Sequence, residues 1–227
     1  MNSSGVSETF GAMLVITVIV SAAGIIYMIS YPTIMGGVEN IAYRNAVKSV
    51  AEIKELAGRM KHGGEERTTK TIQLGGGSIY TAKGMDLKLN GDQYSTRDLV
   101  IRVAGKEVVF QTGIFEKHEG KVIPFVISHP EITATKDTIY FSFYSFTGNF
   151  SASGSRTTLS LEYLKTEKRI GISSLEIKSE FCELWKKAIE EALSRVSLTA
   201  DVSDCADGRL TIQNTNISIF ITEIMVR

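Results

Sequence analysis

The first pattern along the chain is a lack of polarity. Phe10 to Ile29 reads FGAMLVITVIVSAAGIIYMI, twenty residues without a charge. As an α-helix this run spans about 30 Å, the thickness of a bilayer's hydrocarbon core. One Asp, Lys or Arg at its centre would cost about 3 kcal/mol on insertion scales. Tyr27 and Tyr31 stand near one end, where aromatic side chains favour the headgroup region. The spacing therefore predicts a hydrophobic membrane or filament-core helix over residues 1–37.

Pro32 predicts a kink or break, because it lacks an N–H and crowds the preceding turn. Gly36-Gly37 adds a second weak point. Helical periodicity then resumes from Val38 to Met60. Ala46, Val50, Ile53, Ala57 and Met60 fall on one stripe, flanked by Ile41, Ala42 and Leu56. Arg44, Lys48, Glu52, Lys54 and Glu55 lie mostly off it. Residues 38–66 thus read as an amphipathic continuation of the helix, ended by His62-Gly63-Gly64. If unbroken from Ser7 to Met60, the helix would be about 80 Å long.

From Thr68 the period changes to two. Thr69–Leu74, Ser78–Thr81, Asp86–Leu89, Leu99–Val103, Lys106–Gln111, Lys121–Ser128, Thr138–Phe146 and Thr157–Leu164 read as strands. Asn90-Gly91 and Ala104-Gly105 mark tight hairpins. One helix interrupts the strands. Glu180 to Val196 puts Phe181, Leu184, Trp185, Ala188, Ile189, Ala192, Leu193 and Val196 on one face. Glu183–Lys187 and Glu191–Arg195 lie on the other as i,i+4 pairs. Arg209–Gln213 and Ile217–Val226 close the chain. The expected class is α+β, mainly β: a long N-terminal hydrophobic helix, then an antiparallel β-sandwich-like domain over 67–227 with one amphipathic helix in its C-terminal half.

Composition narrows the function. Lys+Arg and Asp+Glu are 25 each in 227 residues, so no net charge draws the chain to nucleic acid. Between Glu8 and Glu39 there is no ionisable Asp, Glu, Lys, Arg or His, so the charge belongs to the soluble part. A cleaved secretory signal would carry a basic start and a shorter apolar stretch, whereas MNSSGVSE has neither Lys nor Arg. Cys182 and Cys205 are the two cysteines. They read either as two thiols or as one disulfide between a helix and a turn.

His62, His118 and His129 have no metal-ligand spacing, and Gly75-Gly76-Gly77-Ser78 lacks the Lys of a phosphate-binding loop. No nucleophile, paired-carboxylate or metal motif emerges, so neither catalysis nor a cofactor or metal is expected. Sequons occur at Asn2, Asn149 and Asn216. Asn149, in Gly148-Asn-Phe-Ser-Ala-Ser-Gly-Ser, is the better candidate for N-glycosylation.

Ser7-Glu8-Thr9-Phe10-Gly11 followed by the uninterrupted apolar run resembles the mature N-terminus of archaeal type IV pilin-like proteins. The β-rich remainder is similar to a group of uncharacterised archaeal proteins with the same N-terminal signature. That likeness is carried by Ser174–Leu193 (SLEIKSEFCELWKKAIEEAL), by Gln111–Glu116 and by the stretches around Pro124 and Pro130. The resemblance implies a helix that anchors the subunit in the membrane and packs in a filament core. Glu8, Phe10, Gly11, Leu14, Ile16, Ile19 and Ile25 would carry anchoring and assembly. Glu8 would pair with a neighbouring subunit's terminal amine; as a first-turn carboxylate following Ser7, it equally suits a helix start.

Gly11, Ala12, Ser21, Ala22, Ala23 and Gly24 would let helices approach closely. Pilins of this kind carry a basic leader. None precedes this run, so either a leader lies upstream or the helix is an uncleaved anchor. Arg44 and Lys48 alone would put the β-domain inside the cell by charge asymmetry. They lie more than a dozen residues from Ile29, and the domain's content favours the outside. The expected function is a pilin-like structural surface protein. The alternative is a single-span anchored binding or adhesion domain that does not polymerise. Expected partners are membrane lipid, further copies and other pilin-like subunits, not nucleic acid.

Overall fold

A computed structural model describes residues 4–120 and 123–227, with side chains described from Gly11 onward. The side chains of Glu8 and Phe10, and the sequon at Asn2, lie outside the described residues. The chain divides into two compact units, one ending at Ile41 and one spanning Ala42–Arg227.

The first element, α1, is a single α-helix over Ser4–Lys61. The break expected at Pro32 does not occur. Proline removes one N–H, the one that would reach the Met28 carbonyl. Thr33 answers next door, its Oγ1 donating to the Ile29 carbonyl at 3.4 Å. Intact turns on both sides hold the backbone, so the loss of one hydrogen bond does not end the helix.

Most of the remaining chain is strand. β1 (Arg67–Gln73), β2 (Ser78–Leu89), β3 (Asp92–Val103), β4 (Lys106–Gln111) and β5 (Gly113–His118) follow through short turns. Next come β6 (Phe125–Ser128), β7 (Ile132–Ala134), the aromatic β8 (Thr138–Thr147) and β9 (Ser151–Ser153). The chain closes with β10 (Arg156–Lys178), helix α2 (Cys182–Ser194), β11 (Asp201–Val202) and β12 (Arg209–Val226). Hydrogen bonds join the strands in the order β6-β5-β4-β3-β2-β10-β12-β8-β7, with β1 on β10, β11 on β12 and β9 on β2. Pairing is antiparallel except between β12 and β8, which run parallel from Asn216 beside Thr138 to Met225 beside Thr147. The chain is thus a long N-terminal helix followed by a mainly antiparallel sheet domain with one further helix.

The tight hairpins sit where the turn residues put them. Asn90 and Gly91 both have positive φ, as do Ala104 and Gly105, matching the twist of the strands they join. Three boundaries differ from the sequence reading. Ser78–Thr81 and Asp86–Leu89 are one strand, β2, with its register irregular between Lys83 and Asp86. Thr157–Leu164 is only the start of the 23-residue β10, whose pairing with β12 shifts at three places. The two C-terminal runs are one strand, β12, passing through Asn214 at positive φ. A bulge inserts a residue and shifts the alternation to the other face, so a long bulged strand reads as two short ones. The strand expected from Lys121 is described only as β6, from Phe125.

Alternation on β3, β4 and β8 sends neighbouring side chains to two cores. Leu99, Ile101, Val108, Phe110, Tyr144 and Phe146 join the buried stripe of α1, namely Ala46, Val50, Ile53, Ala57 and Met60. Ile41 stays exposed. Val100, Val109, Phe141 and Phe143 join the second core, closed by α2. There Trp185 is fully buried against Phe143, and Phe115 stacks on Phe181 with ring centroids 4.5 Å apart. Of the two ion pairs expected on α2, Glu191–Arg195 forms at 2.7 Å. Lys186 pairs with Glu190 and Asp204.

Cys182, the first residue of α2, is bonded to Cys205 in the loop between β11 and β12, 23 residues away. Closing a loop of this size stabilises by about 3 kcal/mol through the unfolded state. Dithiothreitol, or the double substitution Cys182→Ser/Cys205→Ser, should therefore lower the urea midpoint of the detergent-solubilised protein. A midpoint that does not move would show that the crosslink contributes nothing.

Candidate functional site

The most unusual surface is the apolar part of α1. Every large apolar side chain from Met13 to Ile29 is exposed. At about 100° per residue, Leu14 and Ile25 share one face while Ile16 and Ile19 lie on the opposite one. They are 67, 59, 60 and 61% exposed respectively. Gly11 has open space around it. There is no polar stripe, so the segment cannot lie against one surface and present a wet face to water. The helix is long and apolar enough to cross a membrane, and its apolar window is not buried within the chain. Tyr27 and Tyr31 stack one turn apart, with centroids 5.3 Å apart.

Two neighbouring cavities of the Ala42–Arg227 unit share His62 and Glu131 as walls. The larger, about 690 Å³, lies between the last turns of α1 and Ile114, Ile127 and Ser128. The other, about 630 Å³, lies between Lys61, the β7–β8 hairpin and the paired strands β10 and β12. Polar contacts hold the partition between them. Lys54 donates to Ser128 Oγ at 2.9 Å and to the His129 carbonyl at 2.8 Å. Lys61 donates to Ser142 Oγ at 2.6 Å and lies 3.6 Å from Glu131. The Tyr144 hydroxyl donates to both Glu131 oxygens, at 3.0 and 3.1 Å. Burial, then the charge and hydrogen bond of Glu131, push the Tyr144 phenol far up. It therefore stays a neutral donor.

A buried polar chain ties β3, β4 and α2 together. Gln111 donates to Asp98 Oδ2 at 2.7 Å and accepts from Ser179 at 2.6 Å and from Trp185 Nε1 at 3.0 Å. The other Asp98 oxygen has no hydrogen-bond partner. It lies where a side chain at residue 84 would project, so only glycine fits there. Burial raises the Asp98 carboxyl to about 8; the Gln111 hydrogen bond partly opposes this, and the Glu180 charge adds to it. On the other side of the domain, Glu116 accepts from Tyr43 and contacts His118, with Lys106 at 3.4 Å. Burial alone would raise the Glu116 carboxyl, but those donors and the lysine charge hold it below its usual range. Among the described residues, no group of three or more His, Cys, Asp or Glu is placed to hold a metal ion.

Asn149 is exposed in the turn between β8 and β9. Asn216 is exposed within β12, and its amide donates to Thr138 at 3.1 Å. The cavity residues Lys61, Glu131 and Lys168, and Tyr144 that holds Glu131, were not singled out by sequence reasoning. Neither was Asp98. Each occupies an ordinary place in a strand, in a loop or at a helix end, and no local motif distinguishes it.

A family profile described as "Family of unknown function (DUF7289)" matches residues 5–226. A protein of Archaeoglobus fulgidus, described as uncharacterised, is 41% identical, over all of this chain and 98% of its own length. No solved structure matches the chain.

The Asp98 environment has a thermodynamic consequence. Its carboxyl ionises near pH 4 when unfolded and near 8 when folded. Between those values the folded state holds a proton that the unfolded state has released, so this group makes stability fall as pH rises. The slope reaches about 1.4 kcal/mol per pH unit at mid-window. Asp98→Asn should flatten the pH dependence of the urea midpoint between pH 5 and 8 and gain most at pH 8. Parallel curves for the two proteins would show that Asp98 ionises normally.

Proposed function

The chain belongs to DUF7289, a family of unknown function, and we propose that it is a pilin-like structural surface protein held in the membrane by the N-terminal part of α1. The observation that supports this is the exposure of Met13–Ile29 on all sides of the helix. Such a segment has its lowest free energy in lipid or against copies of itself. Small residues at Gly11, Ala12 and Ser21–Gly24 suit close helix approach, the contact a filament core needs. Leu14, Ile16, Ile19 and Ile25 would then be the packing residues, with Glu8 available to pair across subunits. The Cys182–Cys205 bond suits a domain outside the cytoplasm.

A second reading is a single-span anchored domain that binds a ligand and does not polymerise. The two cavities that share Glu131 favour it.

Fractionation separates these readings. The intact protein should enter the membrane pellet, resist high salt and come off with detergent. Ile19→Arg, costing about 3 kcal/mol at mid-membrane, should lower the insertion equilibrium constant about a hundredfold, read as release from the pellet at a lower detergent or denaturant concentration. Protease added to intact cells should digest the β-domain. Filaments in electron micrographs support the pilin reading, and membrane-bound monomers alone support the second. A freely soluble monomer without detergent refutes both.

A further inference from the structure

The smaller cavity has a composition that neither anchoring nor assembly uses. On one of its walls lies the Phe220 ring, with the Lys61 and Lys168 ammonium groups each 5.6 Å from its centroid. The ring's quadrupole attracts both cations, but it does not neutralise them. Lys61 shares the Glu131 carboxylate with the Tyr144 hydroxyl. Lys168 makes no ion pair among the described residues. The acids near it, Glu167 and Glu223, are engaged by Lys165 and Arg169. Two like charges on one ring repel each other, and an anion between them lowers the energy of both.

The opposite wall is hydroxylic. Thr133 and Tyr140 line the space, and their hydroxyls make no hydrogen bond within the described protein. At about 630 Å³ the cavity is far larger than a lone oxyanion needs and falls within the range of organic ligand sites.

We infer that this groove binds an acidic saccharide, whose carboxylate lies against Lys168 and Lys61 and whose hydroxyls meet Thr133 and Tyr140. Lys168, a cation without its own carboxylate among the described residues, selects the acid group. Unused hydroxyls select a polyhydroxylated body over an apolar one. The inference rests on the second reading above, that the domain binds a ligand, and does not require the chain to polymerise. Fractionation tests the anchor and titration tests the groove, so the two fail separately.

The test uses the full chain in a polyoxyethylene detergent, which carries no sugar headgroup. Calorimetric titration compares trigalacturonate, its fully methyl-esterified form and inorganic phosphate. Trigalacturonate should bind with an affinity that falls as salt is added. Esterification should abolish binding, and phosphate should bind at least tenfold more weakly. Lys168→Gln should weaken trigalacturonate at least tenfold, while Lys168→Arg should keep most of the affinity. Lys168 is exposed, so both variants should fold, and unchanged urea midpoints verify this. The inference is overturned if trigalacturonate does not bind, if Lys168→Gln binds it as well as the parent, or if phosphate alone binds as tightly.

Discussion

Removal of apolar side chains from water governs both halves of α1, with opposite outcomes. From Ala42 to Met60 the apolar positions form one stripe, and the sheet of the same unit covers it completely. From Met13 to Ile29 they surround the helix, and the chain covers none of them. Exposing a dozen such side chains to water costs on the order of 20 kcal/mol, more than the usual net stability of a domain. In the readings proposed above, lipid or further helices supply the cover. The pilin-like and anchored readings are two ways of meeting this requirement.

The buried half of the helix carries a division of labour. Ala42, Ala46 and Ala57 are small, so the helix backbone lies close to the strands, while Ile53 and Met60 fill the space between. Polar groups at its edge then fix its end. Lys54 and Lys61 reach Ser128, the His129 carbonyl and Ser142 on the sheet side. A helix end tied down by both packing and charged hydrogen bonds forms a stiff border for the two cavities. Glu131 becomes a shared wall because Tyr144 and Lys61 both hold its carboxylate.

The second core is less economical. The chain from Asp98 through Gln111 to Ser179 and Trp185 places polar groups where apolar ones would pack. A satisfied buried network favours one arrangement of strands and helix over sliding alternatives. The Asp98 oxygen left without a partner is the exception, and it makes this network sensitive to pH. The disulfide beside it joins the start of α2 to the approach of β12, linking the elements that close this core.

Features that depend on neighbouring residues were legible in the sequence. The apolar helix, the buried stripe of residues 46–60, the hairpins at Asn90-Gly91 and Ala104-Gly105 and the core face of α2 all follow from local period or turn chemistry. The mainly β class was legible for the same reason. The tertiary structure alone decided that Pro32 sits inside an unbroken helix, that β10 and β12 run through their bulges, and that β8 lies parallel to β12. It alone brought Lys61, Glu131, Lys168 and Phe220 to one groove, from positions up to 159 residues apart. Periodicity records which face of an element is buried. It does not record which distant element covers that face, because the partner is chosen by the packing of the whole chain.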